Sequence, residues 1–343
     1  MRRIVAGLVL TVAMALAAAF LFQKQIGAVI FQRGAQEASG RDTLAGLGDG
    51  LHLGLCGTGS PMPNPRRAGP CNVVISGRQV FVVDMGENGN RNLNLMGIST
   101  AEVDALLLTH FHSDHIDGLG ELMMQRWIQR TAQQALPVHG PEGLEKVLQG
   151  FNDAYTLDKG YRIGHHGEAV APKAGFGGLA QPFTLPADTG RKVLLSEPDL
   201  EIVAFRVSHG PVHPAVGYRI RYKDRTMVIS GDTSKSAAVQ RESMGVDLLL
   251  HEALSPPLLS VVETGFADAG RAHLAKIMHD VLNYHTTPEE AAEIALAANV
   301  KALFGWEAVP IELLALGFLL MVAGVLVRGI RESLWFNLVC TGV

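Results

Sequence analysis

A dense group of metal-ligand side chains follows one short apolar stretch of this chain. Three histidines and two aspartates fall within residues 110–117, directly after the apolar run 103–108, which predicts a buried strand. Histidines two positions apart on an extended backbone point to the same side, and a turn after them lets the next ligands face the same point. Imidazole nitrogens and carboxylate oxygens are ligands of zinc and its first-row neighbours. The segment therefore predicts two adjacent metal sites, with His110 and His112 for one ion and Asp114 and His115 for the next.

The composition is that of a folded chain with a buried core. Its 343 residues are enough for one large domain or two ordinary ones. Apolar residues make up 48% of the chain and 38 residues are glycine, which favours a buried sheet with tight turns over disorder. The formal net charge of −4 and the lack of a long basic run argue against a broad nucleic-acid surface, although local basic patches remain compatible with the sequence.

The N-terminus carries a membrane-type signal. Residues 4–22 are nineteen positions without a charged side chain, preceded by Arg2 and Arg3. This is close to the length that crosses a bilayer, so we expect residues 1–24 to be a membrane anchor, or a signal cleaved near 15–19; a buried core helix is the alternative. With the arginines on the cytoplasmic side, the domain would lie on the periplasmic or extracytoplasmic side of the inner membrane, or be secreted after cleavage.

A second hydrophobic stretch lies near the C-terminus. Residues 311–327 are apolar except Glu312 and are followed by Arg328 and Arg331. This length is the lower limit for a membrane span, and a tail packed on the domain explains it equally well. We therefore divide the chain into an anchor or signal (1–24), a linker (25–49), a main domain (50–304) and an atypical hydrophobic tail (305–343).

Two further strand ends supply ligand-type side chains. The segment 201–207 alternates like a strand and leads to His209, and zinc held by two histidines needs a third protein ligand. His213 is the rival for that position, but His209 follows the strand directly. The buried strand 227–231 ends at Asp232, whose carboxylate can bridge two cations. The alternative is that Asp232 caps the helix that follows.

The three cysteines and one unpatterned stretch leave questions open. None of Cys56, Cys71 and Cys340 has zinc-finger spacing. If the domain lies outside the cytoplasm, a disulfide between Cys56 and Cys71 across neighbouring strands is one interpretation, and two buried free thiols is the other. Residues 159–200 are rich in glycine, proline and alanine and predict an irregular loop, in which 165–166 are surface histidines.

The motifs together resemble those of a known family. The string His110-x-His112-x-Asp114-His115, and the turn Gly57-Thr58-Gly59-Ser60-x-x-Pro63 before it, are similar to those of metallo-β-lactamase-fold hydrolases of the ribonuclease Z and arylsulfatase-like branch. The resemblance runs from about Leu51 to Leu303. It implies an α/β fold, an αββα sandwich of two mixed sheets flanked by helices. It also implies a dinuclear zinc centre, in which His209 completes the first site and Asp232 bridges the two ions.

The resemblance also assigns the residues of proton transfer. The His-Glu-Ala string at 251–253 is similar to that of the branch, in which Glu252 holds a downstream histidine by a hydrogen bond. His285 matches that histidine, which protonates the leaving group. A helix start with Thr286 or Thr287 as the N-cap and Pro288 in the first turn explains its neighbours but not the histidine itself. The predicted catalytic residues are Asp114, Glu252 and His285.

One ligand expected from the resemblance is absent from the sequence. Relatives deliver a further histidine after the strand at 300–304, which completes the second zinc site, whereas no histidine follows His285 here. Glu307 could supply an oxygen ligand instead. Three explanations remain: a natural tail with an altered site, a replaced C-terminus, or a protein that uses one metal ion.

These observations predict a zinc-dependent hydrolase with two zinc ions, the second site being incomplete. A metal-activated water would attack an ester-type substrate, namely a phosphodiester, a phosphate or an aryl sulfate. A small ester substrate is favoured over nucleic acid, the membrane is an expected partner, and a homodimer remains open. The alternative is a membrane-held binding module with an incomplete metal site and no catalysis. Metal content and ester hydrolysis distinguish the two.

Overall fold

The computed structural model describes residues 17–40 and 42–303, together with Gly7, Thr11 and Met14. The chain forms two compact units, Met1–Leu47 and Gly48–Val343. In the first unit helix α1 spans Gln23–Gly40, and its described side chains are exposed.

The predicted membrane anchor gains no support from the structure. In the described part of the chain, no helix combines the length and the hydropathy that a bilayer span requires. Most of the first sixteen residues, the tail 305–343 and the predicted second span at 311–327 lie outside the described residues.

The second unit contains two six-stranded sheets. In the first sheet the strands lie side by side in chain order, as β1 (Leu51–Gly57), β2 (Cys71–Ser76), β3 (Gln79–Val83), β4 (Val103–Leu107), β5 (Leu136–Pro141) and β6 (Gly178–Phe183). The second sheet also follows chain order, as β7 (Arg191–Ser196), β8 (Leu200–His209), β9 (Val212–Tyr222), β10 (Arg225–Ile229), β11 (Leu248–Leu250) and β12 (Ala302–Leu303).

Both sheets are mixed, as predicted. In the first, β1, β2 and β3 pair antiparallel and β3 to β6 pair parallel. In the second, β7 to β10 pair antiparallel and β10 to β12 pair parallel. A hairpin turn, typical of the string Ser76-Gly77-Arg78 between two apolar runs, joins β2 to β3, with Gly77 at a φ of 61°, a left-handed conformation that glycine adopts without strain.

Helices flank the two sheets, which confirms the predicted layer order. They are α2 (Gly89–Leu95), α3 (Ser113–Ile116), α4 (Leu119–Arg130), α5 (Leu144–Ala154), α6 (Thr156–His166), α7 (Ala237–Glu242), α8 (Pro256–Asp268), α9 (Ala272–Asp280) and α10 (Pro288–Ala297). Short 3₁₀ turns lie at Leu44–Gly46, Thr100–Glu102, Lys173–Gly175 and Val281–Asn283. Helix α10 begins as predicted, because Thr287 and Glu290 form a reciprocal capping box.

Apolar side chains on the facing sides of the sheets form the central core. This core includes Val74, Phe81 and Leu107 from the first sheet and Ile202, Ile220 and Met227 from the second. Successive side chains of a strand point to opposite faces, so the second sheet has another apolar face to cover. That face, with Phe205 and Val228, packs against Ile294 and Ala298 at helix α10. Burial on both faces makes the second sheet a rigid base for the residues at its strand ends.

The stretch 159–200 is more regular than the sequence predicts. Helix α6 extends into it, and β6 and β7 form edge strands that pair with β5 and β8. The prediction of an irregular loop was wrong here because pairing with a formed neighbouring strand outweighs weak intrinsic strand propensity. His165 and His166 end helix α6 and are exposed, as expected.

A disulfide joins Cys56 and Cys71. The antiparallel register of β1 and β2 places Gly57 opposite Cys71, which brings the two cysteines together at the same end of the strand pair. Both are buried, with exposed fractions of 1% and 0%. Of the two interpretations that the sequence leaves open, the structure has the disulfide.

Candidate metal centre

Strand ends from both sheets converge at one edge of the sandwich. They deliver Asp84 and the loop 110–115 from the first sheet, and His209, Asp232 and Glu252 from the second. Two hydrogen bonds hold the sheets together at this edge. The N–H of Val216 donates to the carbonyl oxygen of Thr109 at 3.0 Å, and the hydroxyl of Tyr218 donates to the carbonyl oxygen of Leu108 at 2.6 Å. The edge is therefore fixed before any ligand binds.

Three imidazoles form a compact group, here called the histidine set: His110, His112 and His209. Nε2 of His110 lies 3.0 Å from Nδ1 of His112, which lies 3.3 Å from Nε2 of His209. Tetrahedral zinc with bonds of 2.0–2.1 Å separates its nitrogen ligands by about 3.3 Å, so this spacing suits one ion. His110 and His209 are buried and His112 is exposed, which leaves the set accessible from that side.

In two of these imidazoles one ring nitrogen donates a hydrogen bond, which leaves a lone pair on the other ring nitrogen for a metal ion. Nδ1 of His209 donates to the carbonyl oxygen of Tyr284 at 3.0 Å. The hydroxyl of Thr109 donates its proton to Asp84 at 2.8 Å. Its oxygen is therefore the acceptor toward His110, and Nδ1 of His110 donates to it at 3.0 Å. A neutral imidazole that donates from one nitrogen presents a lone pair on the other. Nε2 of His110 and Nε2 of His209 can therefore each bind a cation.

His115 and Asp232 form a second group beside the first. Nε2 of His115 lies 3.2 Å from Oδ2 of Asp232 and 3.8 Å from Oδ2 of Asp114. The same oxygen of Asp232 lies 3.9 Å from Nε2 of His209, so Asp232 stands between the two groups. Nδ1 of His115 donates to Asp84 at 2.8 Å, whereas its buried Nε2, although close to Asp232, makes no hydrogen bond of good geometry within the described chain. A cation would satisfy that nitrogen.

The charges around the two groups favour a cation. Burial, together with the charge of His115, lowers the pKa of His110 to about 2, so His110 stays neutral and able to bind a metal. Burial also lowers the pKa of His209. For His115, burial alone would lower the pKa, but the carboxylates of Asp232 and Asp84 raise it well above its usual value. Positive charge is therefore stabilised where these side chains meet.

His285 and Glu252 form a pair next to the histidine set. Nδ1 of His285 donates to Oε1 of Glu252 at 3.3 Å, and the same oxygen accepts the N–H groups of Thr286 at 3.0 Å and Thr233 at 3.2 Å. The ring centroids of His285 and His209 lie 5.0 Å apart. Burial alone would lower the pKa of His285, but the hydrogen bond to Glu252 and its charge raise it. The pair can therefore hold a proton beside the metal-type groups.

The structure gathers the side chains singled out in the sequence at one place, and these are His110, His112, Asp114, His115, His209, Asp232, Glu252 and His285. Three close groups within the described residues could hold an ion: His110, His112 and His209; His110, His115 and Asp232; and His209, Asp232 and His285. Asp114 borders these groups without joining one, and the exposed rival His213 is in none of them. Ser236, not Asp232, caps helix α7. Glu307 lies outside the described residues.

Sequence reasoning missed the residue that connects the two groups, Asp84. Its carboxylate accepts the N–H and the hydroxyl of Thr109, each at 2.8 Å, as well as Nδ1 of His115. Asp84 has a φ of 60°, a left-handed conformation that non-glycine residues seldom adopt. The only signal in the sequence was the Asp-x-Gly string directly after a buried strand.

A polar cavity opens beside the second group. The loop between β1 and β2, including Ser60, Asn64 and Arg67, lines one side, and Asp114 and Asp117 line the other. A molecule that reaches the centre past Asp114 would therefore contact this loop.

A sandwich of two mixed sheets that gathers histidines and carboxylates at its strand ends defines a metal-dependent hydrolase, and groups of this kind bind divalent metal ions. The chain belongs to the Metallo-beta-lactamase superfamily, whose sequence pattern matches residues 64–262.

Relatives of known sequence and structure agree with this assignment. Ribonuclease Z of Mycolicibacterium gilvum (strain PYR-GCK) is 31% identical over 76% of this chain and 85% of its own length. Ribonuclease Z of Mycolicibacterium paratuberculosis (strain ATCC BAA-968 / K-10) is 33% identical over 76% of this chain and 86% of its own length. The predicted resemblance to ribonuclease Z is thereby confirmed.

Two solved structures share the fold. The short form of human tRNase Z has a TM-score of 0.54 and 21% identity, covering 73% of this chain and 90% of that one. The metallo-beta-lactamase fold protein YhfI from Bacillus subtilis has a TM-score of 0.53 and 20% identity, covering 74% of this chain and 85% of that one.

Proposed function

We propose that this chain is a zinc-dependent phosphodiesterase, with RNA as the first macromolecular substrate to test. The observation that carries the proposal is the position of the His285–Glu252 pair beside the histidine set, because a proton donor next to a metal centre suits ester hydrolysis. The name ribonuclease Z of the two relatives supports a phosphodiester as the substrate class. The proposal replaces the preference for a small ester over nucleic acid, which rested on the expected membrane anchor, the net charge and the lack of a long basic run.

The residues that would hold zinc fall into two groups. The first group is His110, His112 and His209. The second is His115 and Asp232, with Asp114, which borders these groups at 3.8 Å from His115, as the proposed third ligand. When bound, zinc supplies Lewis acidity and an activated water near neutral pH. Asp232 faces both groups, which supports a bridging role for its carboxylate. The second group contains a single imidazole, so we propose that it is the weaker of the two.

His285 would donate the proton that the leaving oxygen takes up. Glu252 accepts from Nδ1 of His285 and thereby orients the ring, with Nε2 as the nitrogen left for the substrate. The raised pKa of His285 keeps it protonated to higher pH than an ordinary histidine. A general acid of this kind contributes roughly 10²–10⁴-fold to the rate.

The test combines metal analysis with a substrate screen. Metal content is measured by mass spectrometry, and hydrolysis is followed with bis(p-nitrophenyl) phosphate, p-nitrophenyl phosphate, p-nitrophenyl sulfate and a single-stranded RNA. We expect zinc in the wild type, preferential hydrolysis of the diester, and loss of turnover in Asp232→Ala. Asp188→Ala, at an exposed position, is the matched control. Hydrolysis of the sulfate alone would reject the phosphodiester, and a chain without zinc or turnover would support the binding module.

We also propose that the domain works outside the reducing cytoplasm. The Cys56–Cys71 disulfide supports this, because disulfides persist in oxidising compartments and are rare in the cytosol. The test is to fractionate cells that produce the chain and to alkylate free thiols during lysis. Recovery of the chain in the cytosolic fraction with both cysteines alkylated would contradict the proposal.

A further inference from the structure

The disulfide closes the base of the loop that lines the cavity beside Asp114. Cys56 and Cys71 lie fifteen positions apart, so the bond closes residues 57–70 into a ring, here called the disulfide loop. Both cysteines are buried at the junction of β1 and β2, away from solvent thiols. Such a bond persists once it has formed, and it acts as a fixed closure of the loop.

The base of the disulfide loop packs directly against the backbone of the candidate metal centre. The N–H of Gly69 donates to the carbonyl oxygen of Glu87 at 2.9 Å, and the N–H of Gly86 donates to the carbonyl oxygen of Pro70 at 2.8 Å. A Cβ atom placed on Gly69 would lie 2.9 Å from the carbonyl oxygen of Asp114. The position of the loop is therefore coupled to the backbone that carries Asp114.

The outer part of the loop has few other restraints. Residues 58–67 contain neither helix nor strand, and most of their side chains are exposed. The contacts within this part include the N–H of Gly59 to the carbonyl oxygen of Ala68 at 2.6 Å and the N–H of Arg66 to Asn64 Oδ1 at 2.9 Å. Both partners of each of these bonds belong to the loop, so the bonds set its shape but not its position relative to the sheet. That placement depends on the base, where the disulfide is.

We propose that the Cys56–Cys71 disulfide is a positioning element for substrate binding. It holds the disulfide loop as a preformed wall, so that Ser60, Asn64 and Arg67 face the approach to Asp114 before substrate arrives. A loop already ordered in its binding conformation loses less entropy when the substrate binds. The proposal rests on the proposed hydrolysis of a phosphodiester at this centre. In this proposal the disulfide contributes to substrate affinity, whereas the metal ligands and the proton donor act in the turnover step.

The test compares the chain with and without the bond. Cys340→Ser serves as the background, so that no other thiol is present, and Cys56→Ala/Cys71→Ala removes the disulfide. With bis(p-nitrophenyl) phosphate as the probe, we expect KM to rise by roughly threefold to tenfold, with kcat and zinc content unchanged. Hydrogen exchange should become faster in the peptide covering 57–70. An unchanged KM together with unchanged exchange would overturn the proposal, as would a fall in kcat at constant KM.

A control separates this effect from a general loss of stability. Ile202→Ala truncates a core side chain at the far end of β8, roughly 23 Å along the strand from His209. It should lower the stability without changing KM, and a rise in KM equal to that of the double variant would overturn the proposal. If the double alanine variant does not fold, the background chain folded and kept in tris(2-carboxyethyl)phosphine replaces it, because this reductant binds zinc far more weakly than a dithiol does. The thiol state and the zinc content are checked by mass spectrometry.

The exchange measurement also keeps this inference separate from the proposed function. If the oxidised chain hydrolyses none of the probes, the proposed function fails, and the exchange rate of residues 57–70 still tests the positioning of the loop. Free thiols at both positions after folding under oxidising conditions would overturn the inference outright.

Discussion

Oδ2 of Asp84 lies 2.8 Å from Nδ1 of His115, and both side chains are buried. The same carboxylate accepts two hydrogen bonds from Thr109, whose hydroxyl in turn accepts from His110. One carboxylate thus orients a histidine in each of the two metal-type groups. This arrangement explains why a residue in a left-handed conformation is tolerated here, at a position where strain of order 1–3 kcal/mol has to be offset by its contacts.

The first prediction concerns Asp84. In Asp84→Asn one of the two acceptor oxygens becomes a donor, so the side chain can no longer accept the N–H of Thr109 at one atom and Nδ1 of His115 at the other. We expect the affinity for zinc to fall by roughly 10–100-fold, as is typical when a partner of a ligand histidine is lost. Competition with a chromogenic chelator measures the affinity. Asp104→Asn is the control, because Asp104 accepts from the N–H of Val80 and pairs with Arg130 at the surface. Equal zinc affinity in both variants would refute the role of Asp84.

The second prediction separates proton transfer from metal binding at His285. Because His285 is assigned to protonate the leaving group, His285→Ala should lower kcat by roughly 10²–10⁴-fold for a diester with a poor leaving group, and much less for a p-nitrophenyl diester. Zinc content should stay that of the wild type. Since His285 also lies in one of the close groups with His209 and Asp232, a loss of zinc in this variant would identify it as a ligand instead.

The third prediction concerns close backbone packing at Gly86. A Cβ atom on Gly86 would overlap with the carbonyl oxygen of Asp114 and with the backbone of Gly69. Gly86→Ala should therefore destabilise the fold by about 1–3 kcal/mol in urea denaturation. Gly150→Ala is the control, because Gly150 lies in helix α5 with no atom near its Cβ position, and alanine there should stabilise by about 0.5–1 kcal/mol. Equal stabilities of the two variants would contradict the packing argument.

The fourth prediction concerns pH and Asp247. Burial alone would raise the pKa of Asp247, but hydrogen bonds from Lys301 and from the N–H of Thr226 lower it below the usual 3.8. A lowered pKa in the folded state stabilises the protein above the pKa of the unfolded chain, and this stability is lost as the pH falls. Asp247→Asn should therefore be less stable than the wild type near neutral pH, by about 1 kcal/mol.

The difference between wild type and Asp247→Asn should shrink as the pH is lowered through 3.8 and below. Urea denaturation at several pH values measures it. Asp224→Asn is the control, because the side chain of Asp224 is 87% exposed, and it should show no such dependence. A difference that stays constant from neutral to acidic pH would show that the charge of Asp247 is not what stabilises the fold.

The parts of this molecule that follow from local patterns could be predicted from the sequence. The buried strands, the hairpin turn at Gly77 and the capped start of helix α10 depend on residues within a few positions of one another. The metal-ligand role of the loop 110–115 could be predicted for the same reason, because its histidines and its aspartate lie close together in the sequence.

Other parts depend on contacts between distant segments and could not be predicted locally. The role of Asp84 follows from a left-handed backbone conformation and from partners more than twenty positions away. The edge strands β6 and β7 exist because β5 and β8 offer them backbone groups to pair with. The choice between a disulfide and two thiols required the register of β1 and β2, which no spacing of cysteines encodes.

The histidine set draws on both halves of the sandwich, since His110 and His112 follow the first sheet and His209 follows the second. A cation bound by all three would cross-link the halves, so loading with zinc and unfolding become competing equilibria of one system. At a free zinc concentration one hundred times the dissociation constant, the folded chain would gain about 2.7 kcal/mol. Chelators would then act on this protein as denaturants. An amino-terminal fragment that ends before β8 would lack His209 and would therefore bind the ion more weakly.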